Sequence, residues 1–298
     1  MEIYHKPVQT ELVYFTGTGG TRRVAESFAI ELNERGVSVR IHEISSQNSY
    51  AYQSTDLLII LYPVYALNAP KPIYDFIRNL PLAKGIPSAV ISVSGGGELT
   101  PNTACRLHSI KRLEKKGYRV IYESMIVMPS NFLLPTPDEL AIQLLNILPS
   151  KVEHIIQNIT AGVIRRTHPN LINRMLSNFG ELEKSRIVGS TIFAKHIKVN
   201  KDCNGCGLCC KACPAANIVI RNKVPVFGNK CTLCLRCIYD CPKNALKAGF
   251  GKFIVLKQGY NLDSLEARMS GRNIASIESI AKGYSLSGIK KYLLENEE

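Results

Sequence analysis

Residues 12–36 read LVYFTGTGGTRRVAESFAIELNERG, and this stretch decides the fold of the first half of the chain. It begins with an apolar run, residues 12–15, that predicts a short buried strand. A glycine-rich loop follows, and the next residues have the spacing of an amphipathic helix that ends near Gly36. A strand, a tight loop and a helix in this order predict the start of an α/β domain.

The same alternation of strands and helices continues to about residue 160. The predicted strands are residues 12–15, 37–41, 57–62, 89–93 and 118–127. Residues 102–116 predict a helix, and Thr136 is the predicted N-cap of a closing helix because Pro137 and Glu139 follow it. Five strands alternating with helices predict a doubly wound α/β domain with a parallel sheet.

The loop of residues 16–21, TGTGGT, does not fit two common phosphate motifs. The third glycine of a GxGxxG dinucleotide fingerprint would fall at Arg22, and the chain has no GxxxxGK[ST] sequence. The loop instead offers three hydroxyls and flexible backbone amides at a helix N-terminus, which suit a terminal phosphate monoester. An ordinary glycine-rich turn is the alternative.

The loop resembles the phosphate loop of the flavodoxins, whose pattern Thr16, Thr18, Gly19 and Thr21 match. The resemblance implies that FMN binds here, with its ring between the loops after the third and fourth strands. It also implies an aromatic stacked on the ring, Tyr65 first and Tyr62 second, with plain packing as the alternative. The implied cofactor-binding residues are Thr16, Gly17, Thr18, Gly19, Gly20, Thr21, Pro63, Val64, Tyr65, Ser94, Gly95, Gly96 and Gly97.

Residues 203–214, CNGCGLCCKACP, return at 231–242 as CTLCLRCIYDCP. A shift of 28 superimposes four cysteines of each copy, so this is an internal repeat. Nine of the ten cysteines lie between residues 203 and 241, and the N-terminus lacks a signal-peptide pattern, so metal or redox chemistry is expected rather than disulfides. Zinc, usually held by two separated pairs of ligands, fits two quartets that each end in Cys-Pro poorly.

This region resembles the two-cluster ferredoxins of anaerobic bacteria, whose fourth cysteine binds the other cluster. The resemblance implies two 4Fe-4S clusters, the first held by Cys203, Cys206, Cys209 and Cys241, the second by Cys231, Cys234, Cys237 and Cys213. The charge differs from that family, whose members are usually acidic. Residues 195–248 contain ten Lys and Arg against two Asp, which implies a different docking surface.

Over residues 10–260 the chain resembles flavodoxin–ferredoxin fusion proteins of anaerobic bacteria and archaea. The predicted units are a flavodoxin-like FMN-binding domain at 1–161, a basic connector at 162–196, a ferredoxin-like α+β domain with two 4Fe-4S clusters at 197–250, and a C-terminal helical extension at 251–298. We expect the extension to pack on the cysteine-rich unit or to mediate self-association, which leaves a homodimer open.

This organisation predicts an iron-sulfur flavoprotein that relays electrons between the two clusters and FMN, and so couples a one-electron carrier to a partner or a small-molecule acceptor. An oxidoreductase with an unidentified substrate is the expected enzyme class, and no side chain is assigned to acid-base catalysis. The alternative is a non-catalytic carrier or redox sensor whose flavodoxin-like domain serves as a docking module.

The formal net charge of +13 favours an acidic partner. An acidic redox protein of the ferredoxin or flavodoxin type is expected, or a small-molecule acceptor. A nucleic-acid binder is disfavoured, because no aromatic stacking platform accompanies the basic residues. No apolar run reaches the roughly 18 residues of a membrane span, so the expected location is the cytoplasm.

Overall fold

The computed structural model describes residues 6–46, 50, 53–186 and 188–295, without the side chains of residues 182–189. A five-stranded parallel sheet forms the centre of the first half. Its strands are β1 (Gln9–Tyr14), β2 (Ser38–Glu43), β3 (Leu57–Pro63), β4 (Pro87–Ser94) and β5 (Arg119–Val127). Their order, β2-β1-β3-β4-β5, is the flavodoxin-like doubly wound order, so the predicted fold class is confirmed.

Helices cover both faces of this sheet. They are α1 (Gly20–Glu34), α2 (Lys71–Asn79), α3 (Leu107–Lys115) and α4 (Asp138–Thr160). Alternate residues of β1 point to opposite faces of the sheet. Leu12 packs in the core beneath α1 and α4, whereas Val13 packs beneath α2 and α3. The six residues 57–62 of β3 are all buried, as expected for a central parallel strand.

Two predicted helix starts differ from the structure. The helix predicted at 102–116 opens with a 3₁₀ turn, Asn102–Ala104, and becomes α-helical only at Leu107. The closing helix begins at Asp138, and Thr136 does not cap it. The Thr136 hydroxyl instead accepts a hydrogen bond from the Ser130 amide at 2.9 Å, because the loop after β5 folds back on itself.

The connector between the two halves lies against the loop after β3. It contains α5 (Leu171–Arg186) and α6 (Val188–Lys195). Asn68 Nδ2 donates to the Ser177 carbonyl at 2.7 Å, and Ser177 Oγ donates to Asn68 Oδ1 at 2.8 Å. The connector is therefore docked on the sheet's carboxyl edge rather than freely exposed.

The cysteine module, residues 197–250, is a small α+β unit. Its strands form two antiparallel pairs, and a short helix follows each Cys-x-x-Cys. These elements are β6 (Ile197–Val199), α7 (Leu208–Ala212), β7 (Ile218–Arg221), β8 (Val224–Phe227), α8 (Arg236–Tyr239) and β9 (Leu246–Ala248). Leu235, Ile238 and Leu246 pack with Phe193 of the connector in the apolar core of this unit.

The C-terminal extension packs mainly on the flavodoxin-like half, contrary to expectation. Its helices are α9 (Leu262–Met269), α10 (Ile277–Ile280) and α11 (Tyr284–Leu294). Leu262, Leu265 and Met269 join the core beneath α1 and α4, and Ile289 packs with Leu140 of α4. Among the described residues, no helix combines the length and apolar character needed to cross a membrane.

Candidate functional site

The phosphate loop, residues 16–21, turns tightly between β1 and α1. Thr16 Oγ1 accepts a hydrogen bond from the Gly19 amide at 3.1 Å, and Gly19 takes a left-handed φ of 94°. Thr18 Oγ1 accepts a hydrogen bond from Asn131 Nδ2 at 2.7 Å. No described side chain caps α1, so its first amides are available to an anion.

Loops from the carboxyl ends of the five strands line a cleft of about 1430 Å³. Small-molecule pockets are roughly 300–1,000 Å³, so the cleft has room for a mononucleotide and a second molecule. Two predicted residues do not line it: Gly19 shapes the turn, and Gly97 packs against Gly288 of α11. The predicted residues that do line it are Thr16, Gly17, Thr18, Gly20, Thr21, Pro63, Val64, Tyr65, Ser94, Gly95 and Gly96.

The two candidate tyrosines occupy different environments. Tyr62 is fully buried and its hydroxyl points to the Cys105 carbonyl at 3.5 Å, so the prediction that it reaches the flavin site is wrong. Tyr65 lines the cleft and meets Phe15 edge-on, with ring centroids 6.3 Å apart. Its buried hydroxyl has no hydrogen-bond partner among the described residues. Burial and the nearby Cys234 raise the pKa of Tyr65 well above its usual value, so the phenol stays protonated.

The loop after β5, residues 128–137, was not predicted to contribute. Asn131 Nδ2 donates to Thr18 Oγ1, and the Asn131 carbonyl accepts a hydrogen bond from Tyr239 Oη at 2.9 Å. Tyr260 Oη donates to the Pro129 carbonyl at 3.1 Å. Because parallel strands all end at the same edge, the predicted strand at 118–127 already indicated this loop.

The C-terminal helix α11 also reaches the cleft, through Ser285, Leu286 and Ile289. A Cβ on Gly288 would lie 2.0 Å from the Gly96 carbonyl oxygen, so glycine allows α11 to touch the loop after β4. No local pattern in the sequence indicates this contact.

One set of four cysteines lines a small cavity in the cysteine module. Cys203, Cys206 and Cys209 of the first repeat meet Cys241 of the second repeat there. The Ala245 amide donates a hydrogen bond to Cys241 Sγ at 3.3 Å. The structure therefore brings together the residues that the ferredoxin resemblance implies for the first cluster, and Cys206 is solvent-exposed.

The second set combines Cys231, Cys234 and Cys237 with Cys213 of the first repeat, whose thiols interact electrostatically. Asn217 donates its amide to Cys213 Sγ at 3.3 Å, which repeats the Ala245–Cys241 bond 28 residues earlier. Burial raises the pKa of Cys231 to about 12 and that of Cys237 well above its usual range. Without a metal, these thiols stay protonated at neutral pH.

The two repeats share backbone conformation as well as cysteine spacing. Three pairs of residues related by the shift of 28 have left-handed φ angles: Gly205 (70°) and Leu233 (59°), Gly207 (76°) and Leu235 (63°), Ala216 (44°) and Asn244 (47°). Leucine adopts this conformation only at a cost of about 1–2 kcal/mol, so the geometry is imposed by the surrounding structure.

The donor chemistry of the two sets, four free thiols in each, fits the thiolate ligands of iron-sulfur clusters. All ten cysteines are free of disulfides. Within the described part of the chain, no three Cys, His, Asp or Glu side chains converge closely enough to hold one metal ion. Cys210, which belongs to neither set, is half-buried, and its Sγ donates to the Ile218 carbonyl.

The second cysteine set borders both the cleft and the phosphate loop. Cys231 lines the cleft with Thr232 and Leu233. A Cβ on Gly17 would lie 3.0 Å from the Cys234 carbonyl oxygen and 3.2 Å from Cys234 Cβ. The phosphate loop and the second cysteine set are therefore in direct contact.

Residues 12–117 match the family model described as Flavodoxin domain. This match and the sheet order show that the first half of the chain contains a flavodoxin-like domain. The matched residues end before the connector and the cysteine module. No curated protein is significantly similar to the chain in sequence.

Solved structures similar to the chain include several flavodoxins. A flavodoxin from Streptococcus pneumoniae is 18% identical, with a TM-score of 0.39, and the match covers 52% of this chain and 99% of that one. Flavodoxin 2 from Bacillus cereus is 14% identical, with a TM-score of 0.33, and 60% and 99% coverage. A flavodoxin from the domain Archaea is 13% identical, with a TM-score of 0.34, and 51% and 98% coverage.

Proposed function

We propose that this chain is an electron-transfer iron-sulfur flavoprotein that holds FMN and two 4Fe-4S clusters and couples a one-electron carrier to a partner or small-molecule acceptor. The flavodoxin-like domain supports flavin binding and electron transfer. One observation carries the rest of the proposal: the second cysteine set touches the phosphate loop, where Cys234 meets Gly17.

The phosphate loop and two neighbouring loops would hold FMN. Backbone amides of residues 16–21 and the hydroxyls of Thr18 and Thr21 would bind the phosphate. Charge-assisted hydrogen bonds contribute roughly 1.5–3 kcal/mol each, so several of them suffice without a lysine in the loop. The loops after β3 and β4 would bind the flavin ring, with Tyr65 against its face.

The two cysteine sets would hold the clusters as thiolates. Because burial keeps the Cys231 thiol protonated, it would have to lose its proton to bind iron, and cluster assembly would therefore release protons. The amides of Asn217 and Ala245 then stabilise negative charge on the ligand sulfurs. Hydrogen bonds of this kind are one of the ways in which a protein tunes cluster potentials.

Iron-sulfur clusters pass single electrons, whereas a flavin accepts two and releases them singly or as a hydride. The chain's contribution is to fix the two kinds of site at a short, constant separation, which replaces a diffusional encounter with a high effective concentration. The contact between Cys234 and Gly17 maintains that separation.

We expect the external carrier to dock near the first cysteine set. Cys206 is exposed there, and Lys201, Lys223 and Lys243 are exposed on the same module. Their charge would steer an acidic redox protein of the ferredoxin or flavodoxin type, and association should slow as salt increases. A small-molecule acceptor would instead enter the cleft beside the flavin.

Cofactor analysis of anaerobically purified protein tests this proposal. We expect about eight irons, matching inorganic sulfide and one FMN per chain, with electron paramagnetic resonance signals of reduced 4Fe-4S clusters. Eight irons per chain without flavin would support only the iron-sulfur part of the proposal. Zinc in place of iron would contradict the proposal.

A multiple-turnover assay separates an enzyme from a carrier. The loaded protein is given a reduced ferredoxin and a panel of small acceptors. Sustained consumption of an acceptor supports an oxidoreductase, whereas rapid electron exchange with acidic redox proteins alone supports a carrier. If protein with full cofactor content shows neither activity, the oxidoreductase function and the carrier function are both refuted.

A further inference from the structure

Arg236 is a buried cation in the second cysteine repeat. It lies between Cys234 and Cys237 at the start of α8, and only 9% of its surface is exposed. Its counterpart in the first repeat is Leu208, which is 48% exposed. The cysteine set of the first repeat therefore forms without a charged or buried side chain at this position. The burial of Arg236 must depend on a contact outside the repeat.

The Arg236 guanidinium contacts the phosphate loop directly. Its Nη2 donates to the Thr16 carbonyl at 2.8 Å, and its Nε donates to the Gly17 carbonyl at 2.5 Å. Nη2 also donates to Glu43 Oε1 at 3.0 Å, and Nη1 to the Ala212 carbonyl at 3.1 Å. Two guanidinium nitrogens, Nε and Nη2, therefore join the two halves of the protein, and the third, Nη1, ties Arg236 to its own module.

These bonds fix the direction of the loop amides. A trans peptide unit is planar, and its C=O and N–H groups point in opposite directions. When the Thr16 carbonyl faces Arg236, the Gly17 N–H must therefore point away from Arg236. The same holds for the Gly17 carbonyl and the Thr18 N–H. One guanidinium thus orients two consecutive N–H donors away from the cysteine module, on a loop that lines the cleft.

The same residue also borders the second cysteine set. Arg236 lies two residues after Cys234 and directly before Cys237 in the chain. The Ala212 carbonyl that accepts from Arg236 immediately precedes Cys213 in the chain. Arg236 thus links the backbone beside the second cysteine set to the phosphate loop.

The phosphate loop has no lysine or arginine of its own. Arg236 and Arg22 both bind Glu43, and Asp240 interacts electrostatically with both arginines, so the network behind the loop has two cations and two carboxylates. The loop itself therefore binds a dianionic phosphate monoester only through neutral donors, and Arg236 contributes by fixing their direction.

We propose that the flavin phosphate site is composite: Arg236 completes it from the cysteine module, so FMN binding and assembly of the second cysteine set with its cluster strengthen each other. This inference rests on the proposed function, and it assigns Arg236 as a positioning residue. By thermodynamic reciprocity, the factor by which the cluster tightens FMN equals the factor by which FMN stabilises the cluster.

The test is the affinity of the cluster-loaded, full-length protein for FMN and for riboflavin, measured anaerobically by quenching of flavin fluorescence. The variants are Arg236→Met, Arg236→Lys and the control Arg221→Met, which removes an exposed arginine of the same module. Misdirection of one of the two N–H donors that Arg236 orients would remove one charge-assisted bond to the phosphate, which predicts about tenfold to hundredfold weaker FMN binding in Arg236→Met. Riboflavin, which lacks the phosphate, should bind all variants equally, and Arg236→Lys should bind FMN with intermediate affinity.

A second measurement tests the reciprocal effect. Iron release to a chelator should be slower with FMN than without it in the wild type, and Arg236→Met should abolish that difference. Iron content before the experiment shows whether each variant has assembled its clusters.

Three outcomes would overturn the inference: FMN binding by Arg236→Met equal to that of Arg221→Met, equal weakening of FMN and riboflavin, or iron loss in Arg236→Met that Arg236→Lys does not reverse. Wild-type protein that binds no FMN at all would instead contradict the proposed function.

Discussion

The two cysteine repeats have the same ligand spacing and backbone but opposite surroundings. In the first repeat, Cys206 is exposed, and glycine occupies the left-handed position 207. In the second, Cys234 is buried against the phosphate loop, and Leu235 occupies the matching position with φ 63°. The comparison shows that the two repeats share their cysteine positions, whereas the residues between the cysteines differ with what each repeat contacts.

The largest expected difference between the two repeats follows from removing one proposed cluster ligand from each of them. Cys206→Ala and Cys234→Ala are each expected to lose about half of the iron, because each removes a ligand of one cluster. Only Cys234→Ala should also weaken FMN binding, by about tenfold, since its set adjoins the phosphate loop. Iron analysis and FMN titration measure both effects. Equal FMN affinity in the two variants would show that the repeats are functionally equivalent.

A methyl group at Gly17 tests the contact itself. Gly17→Ala would place a Cβ 2.4 Å from Tyr65 Oη and 3.0 Å from the Cys234 carbonyl oxygen. Overpacking of this kind costs about 1–3 kcal/mol, so the variant should lose its visible absorbance at a lower temperature. Gly96→Ala is the matched control, because nothing lies within 4 Å of a Cβ there. An unchanged midpoint in Gly17→Ala would mean that the two halves do not pack as described.

Replacing Leu233 and Leu235, which have left-handed φ angles, by glycine separates the cost of backbone strain from the gain of side-chain packing. Leu235 is 3% exposed, so Leu235→Gly relieves strain but loses core packing, with an expected net destabilisation of about 2 kcal/mol. Leu233 is half-buried, so the two terms should nearly cancel in Leu233→Gly. Anaerobic urea unfolding of both variants gives the two free energies. The prediction is wrong if Leu233→Gly is the more destabilised.

The smallest predicted effect is a loss of folding stability at alkaline pH. It arises at Tyr14, which lies beside the contact between Glu43 and Arg236 of the second repeat. Tyr14 Oη donates to Glu43, the carboxylate that binds Arg236. Burial and the Glu43 carboxylate raise the pKa of Tyr14 to about 12. The folded state therefore favours the neutral phenol, and this contribution to stability is present below pH 10 and lost towards pH 12.

Tyr14→Phe is the control for this titration. Its free energy of unfolding should lack the additional fall between about pH 10 and 12. Identical pH profiles for the wild type and Tyr14→Phe would exclude Tyr14 as the group responsible.

Much of the fold could be predicted because its signals are local. The strand at 57–62 is apolar throughout, which predicts a central parallel strand, and β3 is buried there. The error at Thr136 arose because a favourable capping pattern competed with a tertiary hydrogen bond to Ser130. Tyr62 was misassigned for a similar reason: its position beside the loop did not reveal that its side chain points into the core.

The sequence alone determined which residues come together within short segments: four hydroxyl and glycine positions in one loop, and eight cysteines repeating at a shift of 28. Only the tertiary structure decided which repeat faces the flavin cleft, where α11 packs, and why Arg236 is buried. Arg236 and Thr16 are 220 residues apart, and their contact depends on how two separately patterned units dock. Local periodicity encodes which face of an element is apolar, but not which distant surface that element meets.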